Sequence, residues 1–208
     1  MGYVFSIDTV SPIKIIKKPI QYTSERKKLS LEYMEKHHGI SQKNPTIKPV
    51  IIVLHYTEGG TINSIYNYFN RLYIEKERSF NYLQSPLNVS SHYLVDRDGT
   101  IYQLLEDTLF ARHTIGLNYC AIGIENIGSK SNPLTNEQID ANAKLVRLLK
   151  RKHPIEYLIG HSEYGSFRKS NLWKETNSQY YTGKEDPGIL FMQKVRAKVN
   201  DLKLKNAP

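Results

Sequence analysis

The sequence predicts an α/β domain in which a mixed central β-sheet is flanked by α-helices. Two apolar runs, at residues 50–55 and 121–128, are rich in Val and Ile, which is typical of strands that are covered on both faces. Strand-like and helix-like segments alternate along the chain, which indicates a sheet with helices packed on it. The pair Asp98-Gly99 lies between two further apolar segments and favours a tight hairpin turn. The hairpin makes the predicted sheet mixed rather than wholly parallel.

The chain is long enough for one main domain with a sizeable core. It has 208 residues, of which 39% are hydrophobic and 24% charged, and no segment has the apolar length of a transmembrane helix. The net charge of +9 favours an anionic partner, such as nucleic acid, acidic lipid or an acidic cell-wall polymer. No helix-turn-helix, zinc-finger or RNA-binding signature is present, so we predict no nucleic-acid partner. The single cysteine, Cys120, excludes an intrachain disulfide and a cysteine-rich structural zinc site.

The N-terminal part of the chain is expected to differ from the rest. We predict that residues 1–45 form an N-terminal extension with one helix and that residues 46–208 form the main domain. Residues 1–22 are expected to be irregular or extended. A helix is predicted over 23–38, because hydroxyl residues can cap its start and Gly39 can end it. We expect this helix to pack on the main domain.

The main domain begins with the central strand at 50–55. Thr61 can cap a helix over 62–75, whose apolar residues recur at helical spacing. Residues 76–88 are mostly polar and include Pro86, so we predict a loop there. The predicted arms of the hairpin that follows are residues 89–96 and 101–105.

The second half of the main domain contains two helix-start signals. Thr135 begins a capping-box pattern with Gln138 three residues on, and Pro154 ends the helix that follows. Asp186-Pro187-Gly188 predicts the start of the last helix. The remaining predicted elements, in order, are a loop over 106–120, a strand over 121–128, a helix over 136–152, a short strand over 157–160, a loop over 162–185 and the last helix, to about residue 202.

Three polar residues stand at the ends of predicted elements. His55 closes the central strand, His161 closes another strand, and Asp186 lies in a turn. Two imidazoles and one carboxylate suit zinc with an open fourth position for water. Spacing alone does not decide the matter, because His55 could instead close its strand by bonding a carbonyl. Likewise, Asp186 before Pro187 could simply cap a helix.

Glu125 interrupts the apolar run of the strand at 121–128. A carboxylate is costly to bury unless it has a partner or a chemical role. Two interpretations stay open. The first is a salt bridge or a backbone hydrogen bond; the second is a general base that takes a proton from a zinc-activated water.

The chain resembles the zinc-dependent N-acetylmuramoyl-L-alanine amidases, a superfamily that also contains peptidoglycan recognition proteins and a phage lysozyme-type amidase. The resemblance covers roughly residues 50–190, and its motifs are specific as a set. The matching segments are Ile-Ile-Val-Leu-His55-Tyr-Thr, Val-Ser-Ser-His92-Tyr-Leu-Val-Asp-Arg-Asp-Gly-Thr, Ala-Arg-His113-Thr, Ile-Gly-Ile-Glu125-Asn, Gly-His161-Ser-Glu and Lys184-Glu-Asp186-Pro-Gly.

The resemblance implies a role for each matching residue. One zinc ion would be bound by His55, His161 and Asp186. Glu125 would be the catalytic carboxylate, and Lys184 would help to stabilise the oxyanion. The residues predicted to bind substrate are His113, Arg112, Tyr56 and Trp173.

The segment at 162–185 is longer than in the compact members of the family, and it is rich in aromatic residues. It could wall the substrate groove and stack on sugar or peptide, or it could pack over the core. We favour the groove role, which is why Trp173 is a predicted substrate contact.

The resemblance implies a bacterial enzyme that hydrolyses the amide bond between N-acetylmuramic acid and L-alanine in peptidoglycan or muropeptides. We expect a monomer in the cell envelope, periplasmic or secreted, although a cytoplasmic recycling role stays open. The alternative is a non-catalytic peptidoglycan-recognition module. Such relatives typically lose a metal ligand, whereas this chain retains all three together with Glu125.

Overall fold

A computed structural model describes residues 13–208, and within them the strands form one six-stranded mixed sheet. The order of the strands is β1-β4-β3-β5-β2-β6. Only β3 and β4 pair in antiparallel fashion; the other neighbours are parallel. The predicted fold class is therefore confirmed. The strands are β1 (Ile15–Lys17), β2 (Ile51–Tyr56), β3 (Tyr93–Val95), β4 (Ile101–Gln103), β5 (Ala121–Asn126) and β6 (Tyr157–Gly160).

Helices cover both faces of this sheet. Side chains of α4 and α5 pack on one face, while those of α1 pack on the other. Thr61 and Thr135 form capping boxes at the starts of α2 and α4, as their sequence patterns predict. The α-helices are α1 (Ser24–His38), α2 (Ile62–Asn70), α3 (Ser79–Gln84), α4 (Asn136–Lys152) and α5 (Ile189–Lys198); two 3₁₀ helices cover His161–Lys169 and Asn200–Leu202. None of the helices within 13–208 is long and apolar enough to cross a membrane.

The central strand β2 positions the polar residues of interest. It is buried along its whole length and lies between β5 and β6, to which it runs parallel. The register places His55 opposite Glu125, and Leu54 opposite Gly160. His161 directly follows Gly160. Because parallel strands end at the same edge of a sheet, these three polar side chains lie at one edge.

The prediction for α2 was wrong at its C-terminal end. The helix ends at Asn70 instead of residue 75. The guanidinium group of Arg26, from α1, donates hydrogen bonds to the carbonyl oxygens of Phe69, Asn70 and Arg71 at 3.2, 3.0 and 2.7 Å. These carbonyl oxygens lie at the end of the helix, where no further N–H group of the same helix can donate to them. The end of α2 is therefore fixed by a residue from another helix.

Other boundaries differ from the prediction as well. Helix α3 lies within the segment predicted as a loop over 76–88. The first hairpin arm is shorter than 89–96, and the last helix covers Ile189–Lys198, directly after the predicted start at Asp186-Pro187-Gly188 and short of the predicted end near residue 202. The long loop at 162–185 starts with a 3₁₀ helix.

The N-terminal part contributes to the sheet. Strand β1 pairs with β4 in a parallel ladder, a pairing that the expectation of irregular or extended structure at 1–22 did not contain. Residues 1–12 lie outside the described part of the chain. Helix α1 places Leu29, Tyr33 and Met34 in the core beneath the sheet. The division into an extension at 1–45 and a main domain at 46–208 stays a prediction.

Candidate metal centre and cavity

An open cavity of about 880 Å³ lies at the edge of the sheet where β2, β5 and β6 end. Its walls come from the strand ends, α2, the loop before β5 and the loop before α5. All six residues predicted as metal ligands, catalytic groups or the groove histidine line this cavity: His55, His113, Glu125, His161, Lys184 and Asp186. The fold therefore brings into one cavity residues that are up to 131 positions apart in the sequence, since 186 − 55 = 131.

His55, His161 and Asp186 converge in this cavity. Asp186 Oδ2 lies 3.3 Å from His55 Nδ1 and 3.2 Å from His161 Nδ1. One potential ligand atom from each of the three buried residues lies within 4.8 Å of the others. The alternatives were that His55 bonds a backbone carbonyl and that Asp186 caps a helix. Neither alternative accounts for the contacts between these side chains.

Local structure holds the three ligand candidates in place. The Asn126 amide donates to the backbone carbonyl of His55 at 3.0 Å, which fixes the end of β2. The Ser162 N–H donates to the Asp186 carbonyl at 2.8 Å and ties the loop before α5 to the end of β6. Gly160 permits this approach, because a Cβ atom there would lie only 2.9 Å from Pro187 Cδ.

The protonation states suit a metal ion. Burial, and to a smaller extent the electrostatic interaction with His55, lower the pKa of His161 to about 4, so its imidazole is neutral near pH 7. Burial alone would raise the pKa of Asp186, but hydrogen bonds from His161 and His55 hold it far below the ordinary value. Two imidazoles with an ionised carboxylate are the donor set of an open zinc site. The residues therefore fit zinc.

His113 orients one of these histidines. His55 Nε2 lies 3.1 Å from His113 Nδ1, and His113 Nε2 lies 3.2 Å from the Ala121 carbonyl oxygen. Because a carbonyl only accepts, His113 Nε2 carries a proton, and His113 Nδ1 faces both His55 Nε2 and the Thr114 hydroxyl, the latter at 2.8 Å. His55 Nδ1 faces Asp186 Oδ2 and is the nitrogen that would hold the ion. Metal-binding histidines are commonly oriented in this way by a partner of their second nitrogen.

Sequence reasoning missed this contact, because it placed His113 in the groove as a substrate residue. The ring does line the cavity, but it also packs edge-on against His55 with centroids 5.2 Å apart. The signal in the sequence is Gly123, at the middle of β5. A Cβ atom there would lie 2.7 Å from His113 Cγ, so only glycine leaves room for the imidazole.

Glu125 lies opposite His55 in the ladder between β2 and β5. Its Oε2 atom is buried without a hydrogen-bond partner, and within residues 13–208 no cationic group lies within 4 Å of the carboxylate. Burial raises the pKa of Glu125 to about 7, although His55 and Lys184 act in the opposite direction. A carboxylate with a pKa near 7 is suited to both accepting and donating a proton.

The other predicted substrate residues lie in different surroundings. Tyr56 lines the cavity, and burial, reinforced by Glu58, raises its pKa to about 12, so the phenol stays protonated. Arg112 also lines the cavity. Trp173 does not: its indole packs where a Cβ of Gly116 would lie, 2.6 Å from Trp173 Cε3. The substrate role of Trp173 stays a prediction that no contact with the cavity supports.

The geometry agrees with a comparison of the sequence with known families. The family model for N-acetylmuramoyl-L-alanine amidase matches residues 45–189. The chain belongs to this family. The resemblance inferred from the motifs is thereby confirmed, and the matched segment contains all of the predicted site residues. No curated protein matches the sequence.

Solved structures with this fold include both amidases and recognition proteins. N-acetylmuramoyl-L-alanine amidase LysC from Clostridium intestinale URNW is 19% identical, with a TM-score of 0.52, over 92% of this chain and 99% of that chain. Bumblebee PGRP-SA is 16% identical, with a TM-score of 0.53, over 94% of this chain and 99% of that one. Peptidoglycan recognition protein-LE in complex with tracheal cytotoxin is 16% identical, with a TM-score of 0.51, over 75% and 85%. At these identities the likeness establishes the fold alone.

Proposed function

We propose that this protein hydrolyses the amide bond between N-acetylmuramic acid and L-alanine in peptidoglycan or muropeptides and that it uses one zinc ion. Membership of the amidase family supports the reaction class. The observation on which the proposal depends is the convergence of His55, His161 and Asp186 beside Glu125, whose buried Oε2 atom has no hydrogen-bond partner. A purely structural cluster would have no reason to leave that carboxylate unpaired.

In this proposal each residue acts through its position in the cavity. His55, His161 and Asp186 hold the zinc ion, which when bound supplies positive charge that polarises the scissile carbonyl and activates water. Glu125 Oε2 accepts the proton of the attacking water and then gives it to the leaving amine, for which its pKa of about 7 is well matched. Lys184 adds a positive charge beside the same carboxylate and helps to stabilise the oxyanion.

The remaining assignments are part of the same proposal. We assign the protein to the bacterial cell envelope, where its net charge of +9 favours contact with an anionic wall. Tyr56 and the loop around His113 would contact the substrate from the cavity wall. We expect the protein to act as a monomer.

The test is hydrolysis of purified peptidoglycan sacculi by the zinc-loaded protein, with and without a chelator. The expected result is release of new L-alanine amino termini, lost on chelation and restored by added zinc. The Glu125→Ala variant, matched for zinc content, controls for contaminating hydrolases. Binding to sacculi without any release of amino termini would contradict the proposal and favour a recognition module. Mass spectrometry of the products from sacculi and from free muropeptides would identify the preferred substrate.

A further inference from the structure

The cavity contains buried hydrogen-bond donors that the proposed reaction does not use. Tyr33 Oη, Arg112 Nε and Asn118 Nδ2 are buried without a hydrogen bond of normal geometry, and all three residues line the cavity. The Tyr180 hydroxyl lies near Tyr33 Oη, but it already accepts from Arg112 Nη2 and donates to Asn81 Oδ1. Tyr33, Arg112 and Asn118 themselves are only 1%, 3% and 0% exposed. Buried polar atoms in native proteins are nearly always paired, so three unpaired donors on residues that line one cavity indicate a missing acceptor.

Arg112 shows most clearly which donor is left over. A guanidinium group has five N–H donors. Nη1 donates to the carbonyls of Ser85 and Leu87, and Nη2 donates to the carbonyl of Asn81 at 2.8 Å and to Tyr180 Oη at 3.0 Å. Four of the five donors are therefore used, and Nε–H is the one that remains.

The charge of Arg112 is also unbalanced. All four of its acceptors are neutral oxygens, and no carboxylate within residues 13–208 lies within 4 Å of it. Glu175, whose charge also acts on Tyr33, bonds His37 Nδ1 through Oε1 at 2.9 Å, and its Oε2 atom has no hydrogen-bond partner. Because a buried charge without a counterion is costly, the missing acceptor is best supplied by an anion.

Asn118, another residue that lines the cavity, has an unused amide nitrogen because only its oxygen is occupied. Oδ1 accepts from the backbone N–H groups of His113 and Thr114, at 2.8 and 2.7 Å. This arrangement fixes which atom is oxygen and leaves the two N–H donors of Nδ2 without a partner. The loop that positions His113 thus also presents an unused donor.

Tyr33 comes from α1, outside the segment 45–189 that the family model matches. Its ring is held by His37 and Phe110, with centroids 4.3 and 5.5 Å away, and the Arg112 guanidinium carbon lies 5.1 Å from its centroid. A buried phenol without a hydrogen bond destabilises the fold relative to phenylalanine. A tyrosine whose hydroxyl costs stability in this way is a candidate for binding a ligand.

We propose that Tyr33, Arg112 and Asn118 form a subsite for a free carboxylate of the stem peptide, so that α1 contributes a specificity residue from outside the matched segment. This inference rests on the proposed function, since it takes the cavity to hold a muropeptide whose scissile amide lies at Glu125. Three donors and one cation match the two oxygens and single charge of a carboxylate. A carboxamide in the same position would bind less well, because its NH₂ group would face the unpaired donors of Tyr33, Arg112 and Asn118 and could not accept from them.

The test compares N-acetylmuramoyl-L-alanyl peptides in which each free carboxylate is replaced, one at a time, by a carboxamide. Binding is measured calorimetrically on the zinc-loaded Glu125→Ala variant, and turnover is measured on the chain with Glu125 intact. One of these amidations is expected to weaken binding about tenfold or more, because hydrogen bonds to charged groups are the strong ones. Tyr33→Phe, added to either background, should reduce the affinity for the carboxylate form about tenfold and leave the carboxamide form nearly unchanged.

Tyr119→Phe is the matched control, because Tyr119 Oη donates to the Leu172 carbonyl at 2.9 Å and lies outside the cavity walls. It should not change the preference for the carboxylate. A second variant, Asn118→Asp, keeps the acceptor for the two backbone N–H groups but replaces the donor with a negative charge. It should disfavour the carboxylate form more than the carboxamide form.

Thermal unfolding gives an independent readout. Tyr33→Phe should melt at the same temperature as the unsubstituted chain or higher, whereas Tyr119→Phe, which loses a hydrogen bond, should melt lower. The subsite is refuted if binding is indifferent to every amidation, if Tyr33→Phe keeps the full preference, or if it melts lower than Tyr119→Phe. Binding without any turnover would refute only the proposed reaction. The difference in affinity between the carboxylate and carboxamide peptides would still decide whether the subsite exists.

Discussion

Two buried clusters in this molecule combine histidine with aspartate, and they lie at opposite edges of the sheet. Asp186 contacts His55 and His161 at the edge where β2 and β6 end. Asp107 contacts His153 at 2.9 Å, near the opposite edge, where β3 begins and α4 ends. By residue type alone the two clusters look alike.

Their hydrogen bonding differs. At the second cluster, the carboxylate of Asp107 accepts from the Tyr93 hydroxyl, from Gln103 Nε2 at 3.3 Å and from His153 Nε2, and Lys152 adds a positive charge at 3.5 Å. These groups satisfy the carboxylate and leave it no capacity for a ligand. The cluster is a closed network that joins β3, β4 and the end of α4.

At the first cluster, the groups are incompletely satisfied. Asp186 shares one oxygen between two histidine nitrogens, Glu125 Oε2 has no partner, and an open cavity adjoins them. A histidine–aspartate contact therefore does not by itself indicate a site that binds a metal or a substrate. Unfilled bonding capacity beside a cavity is the feature that distinguishes one cluster from the other.

The strongest test of this difference is the pair His55→Ala and His153→Ala. We expect His55→Ala to lose bound zinc and hydrolytic activity while the fold is retained, because two ligands hold the ion poorly. His153→Ala should keep both zinc and activity and lose only stability. Metal analysis and hydrolysis assays on the two purified variants check this. Stoichiometric zinc in His55→Ala would remove His55 from the site.

Removing the carboxylate without removing the metal should have the next largest effect. Glu125→Gln keeps the shape of the side chain but cannot move a proton. We expect its turnover to fall by about 10²- to 10⁴-fold, the usual range for a lost general acid–base group, with zinc content unchanged. Activity within a few-fold of the unsubstituted chain would mean that Glu125 is not the proton carrier.

A smaller effect is expected at His113, which positions His55. His113→Ala should weaken zinc binding by about 10- to 100-fold, as is typical when the partner of a ligating histidine is lost. Gly123→Ala offers an independent route to the same result, because its Cβ would displace the imidazole without altering it. Competition with a zinc chelator measures both affinities. Unchanged zinc affinity in both variants, with only substrate affinity lowered, would return His113 to the role of a groove residue.

The sequence predicts the strands and helices well where local signals agree. The capping box at Thr135 and the stop at Pro154 define α4, and the Asp98-Gly99 turn defines the hairpin. The end of α2 could not be predicted, because Arg26 of another helix determines it. The pairing of β1 with β4 is equally non-local, and three-residue strands leave little pattern to detect.

The sequence was enough to predict which residues form the candidate site, but not which of them contact each other. His55, His161 and Asp186 are far apart in the sequence, so their spacing left other roles open, and only the family motifs grouped them. Their convergence depends on the register of β2 with β5 and β6, which a single sequence does not specify. The contact of His113 and the involvement of Tyr33 depend on loop and helix packing, for which the sequence offers only Gly123 as a hint.

The smallest expected effect on function comes from the closed cluster. Burial alone would raise the pKa of Asp107, but hydrogen bonds from Tyr93 and His153 hold it below its ordinary value. The ionised carboxylate therefore stabilises the fold above the pKa of an unfolded aspartate, about 3.9, and this contribution is lost as the pH falls through the folded-state value. Asp107→Asn should lower the unfolding free energy at pH 7 by about 1–3 kcal/mol without changing zinc content or turnover.

Urea unfolding of the Asp107→Asn variant and the unsubstituted chain, at pH 7 and at pH 3, measures this difference. The gap between their stabilities should narrow at the lower pH, because the asparagine does not titrate while the aspartate loses its charge. A gap that does not depend on pH would mean that shape, rather than charge, explains the role of Asp107. A loss of zinc or turnover in the folded Asp107→Asn variant would contradict the comparison itself. It would mean that the Asp107 cluster affects function and is not purely structural.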